Sequence, residues 1–242
     1  MKVRGGQNIF GISVGILMLD TQFPRIPGDM GNAATFDFPV LYHRVCGASP
    51  DRVVRHGQRE LLPAFVEGAR ELEREGVRAV TTNCGFLAMF QSEVAAAVSI
   101  PVFTSSLMLV PLVHRMLQPG RAVGIMTVDA SSLRPEHFTG AGIARDIPAV
   151  VAGMETEKEF TRVMLDDQLE LDVDAARQEH LTVARRMLEA HPEIGAIVLE
   201  CTNMPPYRAG IQAVTGLPVF DITTLVRMVH DAVSQGLPPR PA

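Results

Sequence analysis

Short apolar runs alternate along the chain with longer amphipathic segments. Apolar runs of four to seven residues recur along the chain, and the segments at 79–84 and 196–201 are each followed by a helical stretch. This alternation is typical of β-α-β units, in which parallel strands are connected by helices. The pattern therefore predicts an α/β fold with mainly parallel sheets.

Turn residues place the predicted helices. Ser-Pro-Asp at 49–51 is typical of a helix start, because it supplies a cap, a first-turn proline and an acidic residue. The helix is expected to continue to Gly76, with Pro63 kinking or dividing it. A second helix is predicted from Asp172 or Asp174 to about residue 190, and a third over 157–170.

The same pattern occurs twice. Three segments of the first half return in the same order in the second half: 14–20 as 123–129, 79–84 as 196–201, and 100–103 as 217–220. The distance from Cys84 to Pro101 is 17 residues, as is the distance from Cys201 to Pro218. Common strand composition explains the valines, but not a cysteine at the end of the same strand in both halves. We infer an internal duplication into two αβα halves related by a pseudo-two-fold axis, with a cleft between them.

Composition excludes several classes of protein. The 242 residues are 47% apolar and 20% charged, as in ordinary soluble proteins, and the net charge of −5 argues against nucleic-acid binding. No apolar stretch reaches the ~18 residues of a membrane span, and the first residues do not resemble a signal peptide, so a cytoplasmic location is expected. The three cysteines form no CxxC pair, and no histidine lies two to four residues from Cys84 or Cys201, so we expect neither a disulfide framework nor a metal site.

Cys84 and Cys201 are the candidate catalytic residues. Each follows a predicted strand, and ligands of parallel sheets bind outside the carboxyl ends of the strands. Two sulfurs that face one cleft from opposite sides suit a two-base racemase, in which one thiolate removes a proton and the other thiol returns one to the opposite face. We expect a helix N-terminus to lower the pKa of each thiol, and the two titrations to be coupled.

The residues beside the cysteines are small and able to form hydrogen bonds. Backbone N–H groups at the two helix starts, helped by Thr202 and Asn203, are expected to hold a substrate carboxylate or an enolate-like charge. Thr82 and Asn83 flank the first sulfur, and Gly85 allows close approach of a ligand. These five residues are candidate substrate-binding residues.

Four further features leave alternatives open. Asp20 and its counterpart Asp129 either orient a cysteine or bind a substrate amine, or they are ordinary turn-starting aspartates. The loop 27–32 is either a surface turn or a substrate-facing loop. Cys46 has no counterpart in the other half and is interpreted as structural or incidental. Four phenylalanines suggest an apolar site, although they also suit a core: Phe23, Phe36, Phe38 and Phe86.

At its cysteine motifs the sequence resembles the aspartate/glutamate/hydantoin racemase superfamily. Thr-Asn-Cys at 82–84 and Cys-Thr-Asn at 201–203 are similar to the two catalytic motifs of that family. The resemblance implies catalysis without pyridoxal phosphate, metal or nucleotide, and a homodimer is common in the family. It also implies domain boundaries at 1–104 plus 221–242 and at 105–220. Glutamate racemases tend to have Asn-Thr after the first cysteine, where this chain has Gly85-Phe86, so glutamate is not assigned as the substrate.

The sequence therefore predicts a cofactor-independent racemase or epimerase of a small amino acid, or of a related carboxylate or hydantoin. The same superfamily includes cysteine-dependent decarboxylases and a cis–trans isomerase of diacids. The decarboxylases typically keep one of the two cysteines, so the retained pair argues against them, and less firmly against the isomerase. A non-catalytic protein that binds a small acid remains the alternative of a different class.

Overall fold

The computed structural model describes residues 5–234 and contains two four-stranded parallel sheets. The first sheet contains β1 (Val14–Leu19), β2 (Val40–Val45), β3 (Ala79–Thr82) and β4 (Val102–Phe103). The second contains β5 (Ala122–Thr127), β6 (Ala149–Gly153), β7 (Ile194–Leu199) and β8 (Val219–Phe220). The predicted fold class of two α/β halves is confirmed.

The two sheets repeat one strand order. The first runs β2-β1-β3-β4 and the second β6-β5-β7-β8, so the strands that match in sequence also occupy matching places. The central strands are buried on both faces, which explains why they consist of nearly continuous apolar residues. In both halves the strand that precedes a cysteine is therefore central, with β1 or β5 beside it.

Between residues 5 and 234, eight α-helices connect and cover the sheets. They are α1 (Leu62–Arg74), α2 (Gln91–Ala97), α3 (Leu109–Met116), α4 (Pro135–Gly140), α5 (Phe160–Leu165), α6 (Val173–Ala190), α7 (Arg208–Thr215) and α8 (Ile222–Ser234). Short helical turns precede several of them, including Gly85–Phe90 directly after Cys84 and Pro205–Tyr207 after the second cysteine motif.

The predicted division of the first helix is confirmed, and another predicted helix is shorter in the structure. The helix expected over 49–76 is divided into a turn at Asp51–Arg55 and α1, which has Pro63 in its first turn, where a proline is tolerated. The helix expected over 157–170 is limited to α5. The start of α6 agrees with one predicted choice, since the Asp172 carboxylate accepts hydrogen bonds from the N–H groups of residues 174 and 175.

Two helices join the halves. α3 follows the last strand of the first sheet and packs on β5 and β7 of the second, whereas α8 follows the last strand of the second sheet and packs on β3 of the first. Both contribute to an apolar cluster with one face of each sheet, including Ile16 and Ile125. The domain boundaries at residues 104 and 220 stay a prediction, and their outer ends, 1–4 and 235–242, lie outside the described residues.

Within residues 5–234, no helix is long and apolar enough to cross a membrane.

Candidate active site

Cys84 and Cys201 lie at corresponding positions and line one pocket. Cys84 is two residues beyond β3 and caps the helical turn Gly85–Phe90, and Cys201 is two residues beyond β7. Both residues are 8% exposed, and they share one small pocket. The two cysteine motifs thus lie together in the structure, as expected from the sequence. Cys46 is exposed and does not line this pocket.

Hydrogen bonds from the neighbouring side chains hold the two cysteine loops together. The Thr202 hydroxyl donates to the Asn83 carbonyl, which joins the second loop to the first. The Asn83 side-chain oxygen accepts from the Leu19 N–H at 2.7 Å. The Thr82 hydroxyl donates to the Thr104 carbonyl at 2.7 Å and accepts from the Cys84 N–H at 3.3 Å. These groups therefore position Cys84.

Four of the predicted substrate-binding residues line the pocket, namely Asn83, Gly85, Thr202 and Asn203, and two do not. Thr82 is buried behind Cys84. Asp20 also lies outside the pocket lining, because its carboxylate accepts from the Gly47 N–H at 3.1 Å and lies 3.6 Å from Arg44. Its counterpart Asp129 caps the turn Ala130–Ser132. The turn-starting alternative therefore describes Asp129, whereas the Asp20 carboxylate binds a turn in another segment.

The loop 27–32 supports the second cysteine. Its Asp29 is 2% exposed and accepts a 2.5 Å hydrogen bond from the Asn203 side-chain amide. The other Asp29 oxygen forms a 2.8 Å ion pair with Arg25. The Asn203 side-chain oxygen in turn lies 3.5 Å from the Cys201 sulfur, which donates to it. Sequence reasoning had missed Asp29 and Arg25, and the unusual Pro-Gly-Asp composition of the loop was the available signal.

Glu200 is a site residue that sequence reasoning also missed. It is fully buried directly before Cys201, and it lines the pocket. Its Oε2 accepts a 2.7 Å hydrogen bond from the Thr127 hydroxyl, whereas its Oε1 has no hydrogen-bond partner among the described residues. The signal was a carboxylate at the end of an apolar strand, where the first half has Asn83.

The electrostatics of the thiols contradict the sequence prediction. Burial, followed by the Glu200 charge, raises the pKa of Cys84 to about 12, although the Phe86 and Leu87 N–H groups oppose the shift. Burial and Glu200 also raise the pKa of Cys201, to which the charge of Cys84 adds. The expected lowering by helix N-termini is wrong because loss of hydration outweighs the backbone dipoles.

Most of the remaining pocket wall is apolar. It consists of Leu19, Phe23, Pro50, Val54, Phe86, Val128, Met164 and Leu165. The described lining contains no Lys, Arg or His side chain. Of the four phenylalanines considered, Phe23 and Phe86 line the pocket, whereas Phe36 belongs to the core between the sheets and Phe38 stacks on His230. The pocket therefore suits a small substrate with an apolar surface.

Residues 5–234 contain no group of three or more His, Cys, Asp or Glu side chains that can hold a metal ion.

Comparison with protein families identifies the relationship. Residues 48–228 match the model of the Asp/Glu/hydantoin racemase family. The chain belongs to this family. The family model agrees with the resemblance found at the two cysteine motifs.

The curated relatives of this family member have a different activity in their names. The chain is 33% identical over 221 residues to a dimethylsulfoniopropionate lyase of Durusdinium sp. clade D, and this match covers 88% of this chain and 72% of that protein. It is 31% identical over 221 residues to dimethylsulfoniopropionate lyase 3 of Emiliania huxleyi, covering 88% of this chain and 57% of the relative. The chain thus spans little more than half of the second relative.

Solved structures share the fold at low sequence identity. An unliganded arylmalonate decarboxylase superposes with a TM-score of 0.59 and 17% identity, covering 96% of each chain. A glutamate racemase of Bacillus anthracis gives a TM-score of 0.62 and 14% identity, covering 95% of this chain and 86% of the other. One fold thus occurs in a decarboxylase and a racemase, so the fold alone does not select the reaction.

Proposed function

We propose that this protein is a cofactor-independent lyase that uses Cys84 to remove a proton from the carbon next to a carboxylate. The proposed substrate is dimethylsulfoniopropionate, or a close relative with a positively charged leaving group. The proposal is carried by the pairing of two strand-end thiols in one apolar pocket, in a chain 33% identical to a dimethylsulfoniopropionate lyase.

The proposed reaction is an elimination. The Cys84 thiolate takes a proton from the carbon next to the carboxylate, and the electron pair of that C–H bond forms a carbon–carbon double bond. The bond between the neighbouring carbon and the sulfonium sulfur breaks, and its electron pair leaves with the sulfur. The products are dimethyl sulfide and acrylate, and the proton on Cys84 then passes to solvent. No oxidant, reductant or metal is needed for the balance.

Cys84 is the better candidate for the base. The N–H groups of Phe86 and Leu87 oppose the upward shift of its pKa, as the positive charge of Arg25 does to a smaller extent. The Cys201 thiol donates to the Asn203 side-chain oxygen at 3.5 Å, a contact that suits the protonated form. We therefore assign the thiolate to Cys84 and the thiol to Cys201.

A cationic substrate suits the electrostatics of the pocket. Burial raises the pKa of both thiols, so a thiolate forms there at neutral pH only if something offsets the cost. A bound sulfonium group brings a fixed positive charge beside the sulfur, which favours the thiolate. The apolar walls accommodate its methyl groups, and the aromatic faces of Phe23 and Phe86 attract a cation.

Racemisation is the second candidate. It is favoured by the presence of two thiols at corresponding positions, with the charge of Cys84 acting on Cys201. In that reaction the thiol of Cys201 returns a proton to the face opposite the one that Cys84 deprotonates. A racemase needs both thiols, whereas an elimination needs one base, so the two reactions respond differently to loss of Cys201.

The test is a substrate panel in D₂O. Proton NMR follows the vinyl protons of acrylate from dimethylsulfoniopropionate, and headspace chromatography measures dimethyl sulfide. The same protein is incubated with single-enantiomer amino acids and hydantoins, whose stereocentre protons report exchange. Equimolar acrylate and dimethyl sulfide are expected, with Cys201→Ser keeping part of the rate. Exchange at a stereocentre without elimination, lost in Cys201→Ser, would instead support the racemase.

A further inference from the structure

The proposed chemistry assigns no role to the third buried acid of the pocket, Glu200. It is 0% exposed and lies on the same pocket as both sulfurs. The residue is also packed against the other half of the site, because its Oε1 and its backbone oxygen lie against the Cα of Gly85. Glu200 therefore touches the loop that carries Cys84 while it is covalently joined to Cys201.

The burial and sparse hydrogen bonding of Glu200 suit a neutral acid better than a carboxylate. The Thr127 hydroxyl donates to Oε2 at 2.7 Å, so a proton on the neutral carboxyl group resides on Oε1. Oε1 is buried and has no partner within the described chain. An ionised carboxylate there leaves one oxygen without a donor in an apolar pocket, which costs several kcal/mol. Burial accordingly raises the pKa of Glu200 to about 8.

The groups that face Glu200 determine which residues its charge affects. The turn Gly85–Phe90 presents Cys84 at its start, and the loop after β7 presents Cys201. β5 contributes the uncharged Thr127 hydroxyl, and the turn Ser106–Met108 contributes a hydroxyl that binds the Leu199 carbonyl at 2.7 Å. Beyond these, the charged groups that act on the thiols are Arg25 and Asp29, which form an ion pair.

Two negative charges in this pocket oppose each other. A carboxylate at Glu200 raises the pKa of both thiols, so ionised Glu200 and a thiolate cannot easily coexist.

We infer that Glu200 is a positioning residue that keeps its proton in the working enzyme and thereby leaves the single negative charge of the pocket to Cys84. The inference rests on the proposed function for its catalytic consequence. Ionisation of Glu200 disfavours the Cys84 thiolate. The rate therefore falls or levels off as pH rises past the point at which this carboxyl group loses its proton.

The decisive variant is Glu200→Gln, which keeps an oxygen that accepts from Thr127 and places an uncharged N–H donor where the neutral acid has its O–H. Glu193→Gln, which changes an exposed carboxylate just before β7, at the opposite end of that strand from Glu200, is the matched control. Two readouts are compared between pH 6 and 10: kcat/KM for acrylate formation, and the rate of Cys84 alkylation by iodoacetamide, located by mass spectrometry. The second readout needs no substrate.

The comparison is made within each protein between pH 7 and pH 9, so it does not depend on an unchanged rate of Glu200→Gln at pH 7. At pH 9 Cys84 should be alkylated about ten-fold faster in the variant, a factor that corresponds to one pKa unit. The kcat/KM of the variant should keep rising with pH where that of the wild type and of Glu193→Gln does not. A folded but inactive Glu200→Gln would overturn the inference, since it would require an ionised Glu200, and so would alkylation profiles identical to wild type.

A second pair of variants covers the case in which Glu200→Gln does not fold. The Thr127 hydrogen bond lowers the pKa of Glu200, so Thr127→Val should move the high-pH change of Cys84 alkylation to still higher pH. Thr127→Ser keeps the hydroxyl and should restore the wild-type profile. An unchanged profile in Thr127→Val would contradict the inference. If alkylation follows these expectations while no acrylate forms, the proposed reaction fails and the role of Glu200 in thiol ionisation stands.

Discussion

Replacement of Gly85 by alanine tests the packing on which the site depends. A Cβ at this position would lie closer than 3.0 Å to both Oε1 and the backbone oxygen of Glu200. The side chain can rotate, but the backbone oxygen moves only if the end of β7 moves with it, and Cys201 is attached to that end. Gly85→Ala therefore forces the two cysteine loops apart.

The expected size of the effect follows from that overlap. Overpacking of a buried site costs about 1–3 kcal/mol. For a domain of this length each kcal/mol lowers Tm by about 2–4 °C, so we expect a loss of roughly 2–12 °C. A misplacement near 1 Å at the reacting groups costs on the order of 10²-fold in rate. Acrylate formation should therefore fall by about ten- to a hundred-fold in protein that is still folded.

Thermal unfolding followed by circular dichroism measures the first effect, and NMR of acrylate measures the second. Gly210→Ala is the matched control, because Gly210 lies inside α7 and its nearest neighbour is the flexible end of Leu181, 3.1 Å from the new Cβ. That variant should gain about 0.5–1 kcal/mol. A Gly85→Ala protein with the wild-type Tm and rate would refute the described packing of Glu200 on Gly85.

Three further predictions concern stability. Asp29→Asn removes the charged partner of the partly buried Arg25 and weakens the contact with Asn203, so chemical denaturation should show a loss of about 3 kcal/mol, at the lower end of the range for buried pairs. A loss below 1 kcal/mol would contradict a stabilising ion pair at this site. Asp172→Ala removes the cap of α6 and should cost about 1 kcal/mol in the same assay while leaving the rate of acrylate formation unchanged. Burial lowers the pKa of His180 to about 4, below its ordinary value of 6.5. The unfolded chain therefore binds this proton more tightly than the folded protein, so the free energy of unfolding is highest above pH 6.5 and decreases as pH falls towards 4. Urea unfolding between pH 7 and 5 should show that loss in the wild type at no more than about 1.4 kcal/mol per pH unit, and should show less of it in His180→Phe.

The fold was largely predictable from the sequence because the signals for it are local. Parallel strands buried on both faces are nearly continuous apolar runs, and β5 and β7 have that pattern. The repeat then predicted two halves, and the cysteines followed from their matching places at two strand ends. Pro63 was part of the same local signal, since the pattern predicted a kink or a division and the structure has a new helix starting there.

The rest of the site was not predictable because it depends on contacts between distant segments. Asp29 and Asn203 lie 174 residues apart in sequence, and nothing in either segment indicates their hydrogen bond. The thiol pKa values were predicted in the wrong direction because burial, which outweighs the helix dipoles, is a property of the folded pocket. Glu200 was overlooked because its neighbours of consequence, Thr127 and Gly85, come from other strands and loops. The cytoplasmic location and the homodimer stay predictions.

The most direct test of the account compares two cysteine variants in one assay. Cys84→Ser and Cys46→Ser each remove one thiol, but Cys84 lines the pocket and Cys46 is exposed outside it. Acrylate formation from dimethylsulfoniopropionate is measured by NMR for both variants and the wild type. We predict that Cys46→Ser keeps the wild-type rate and that Cys84→Ser loses about 10³-fold, within the range for removal of a general base. Equal rates in Cys84→Ser and Cys46→Ser would contradict the assignment of Cys84 as the base.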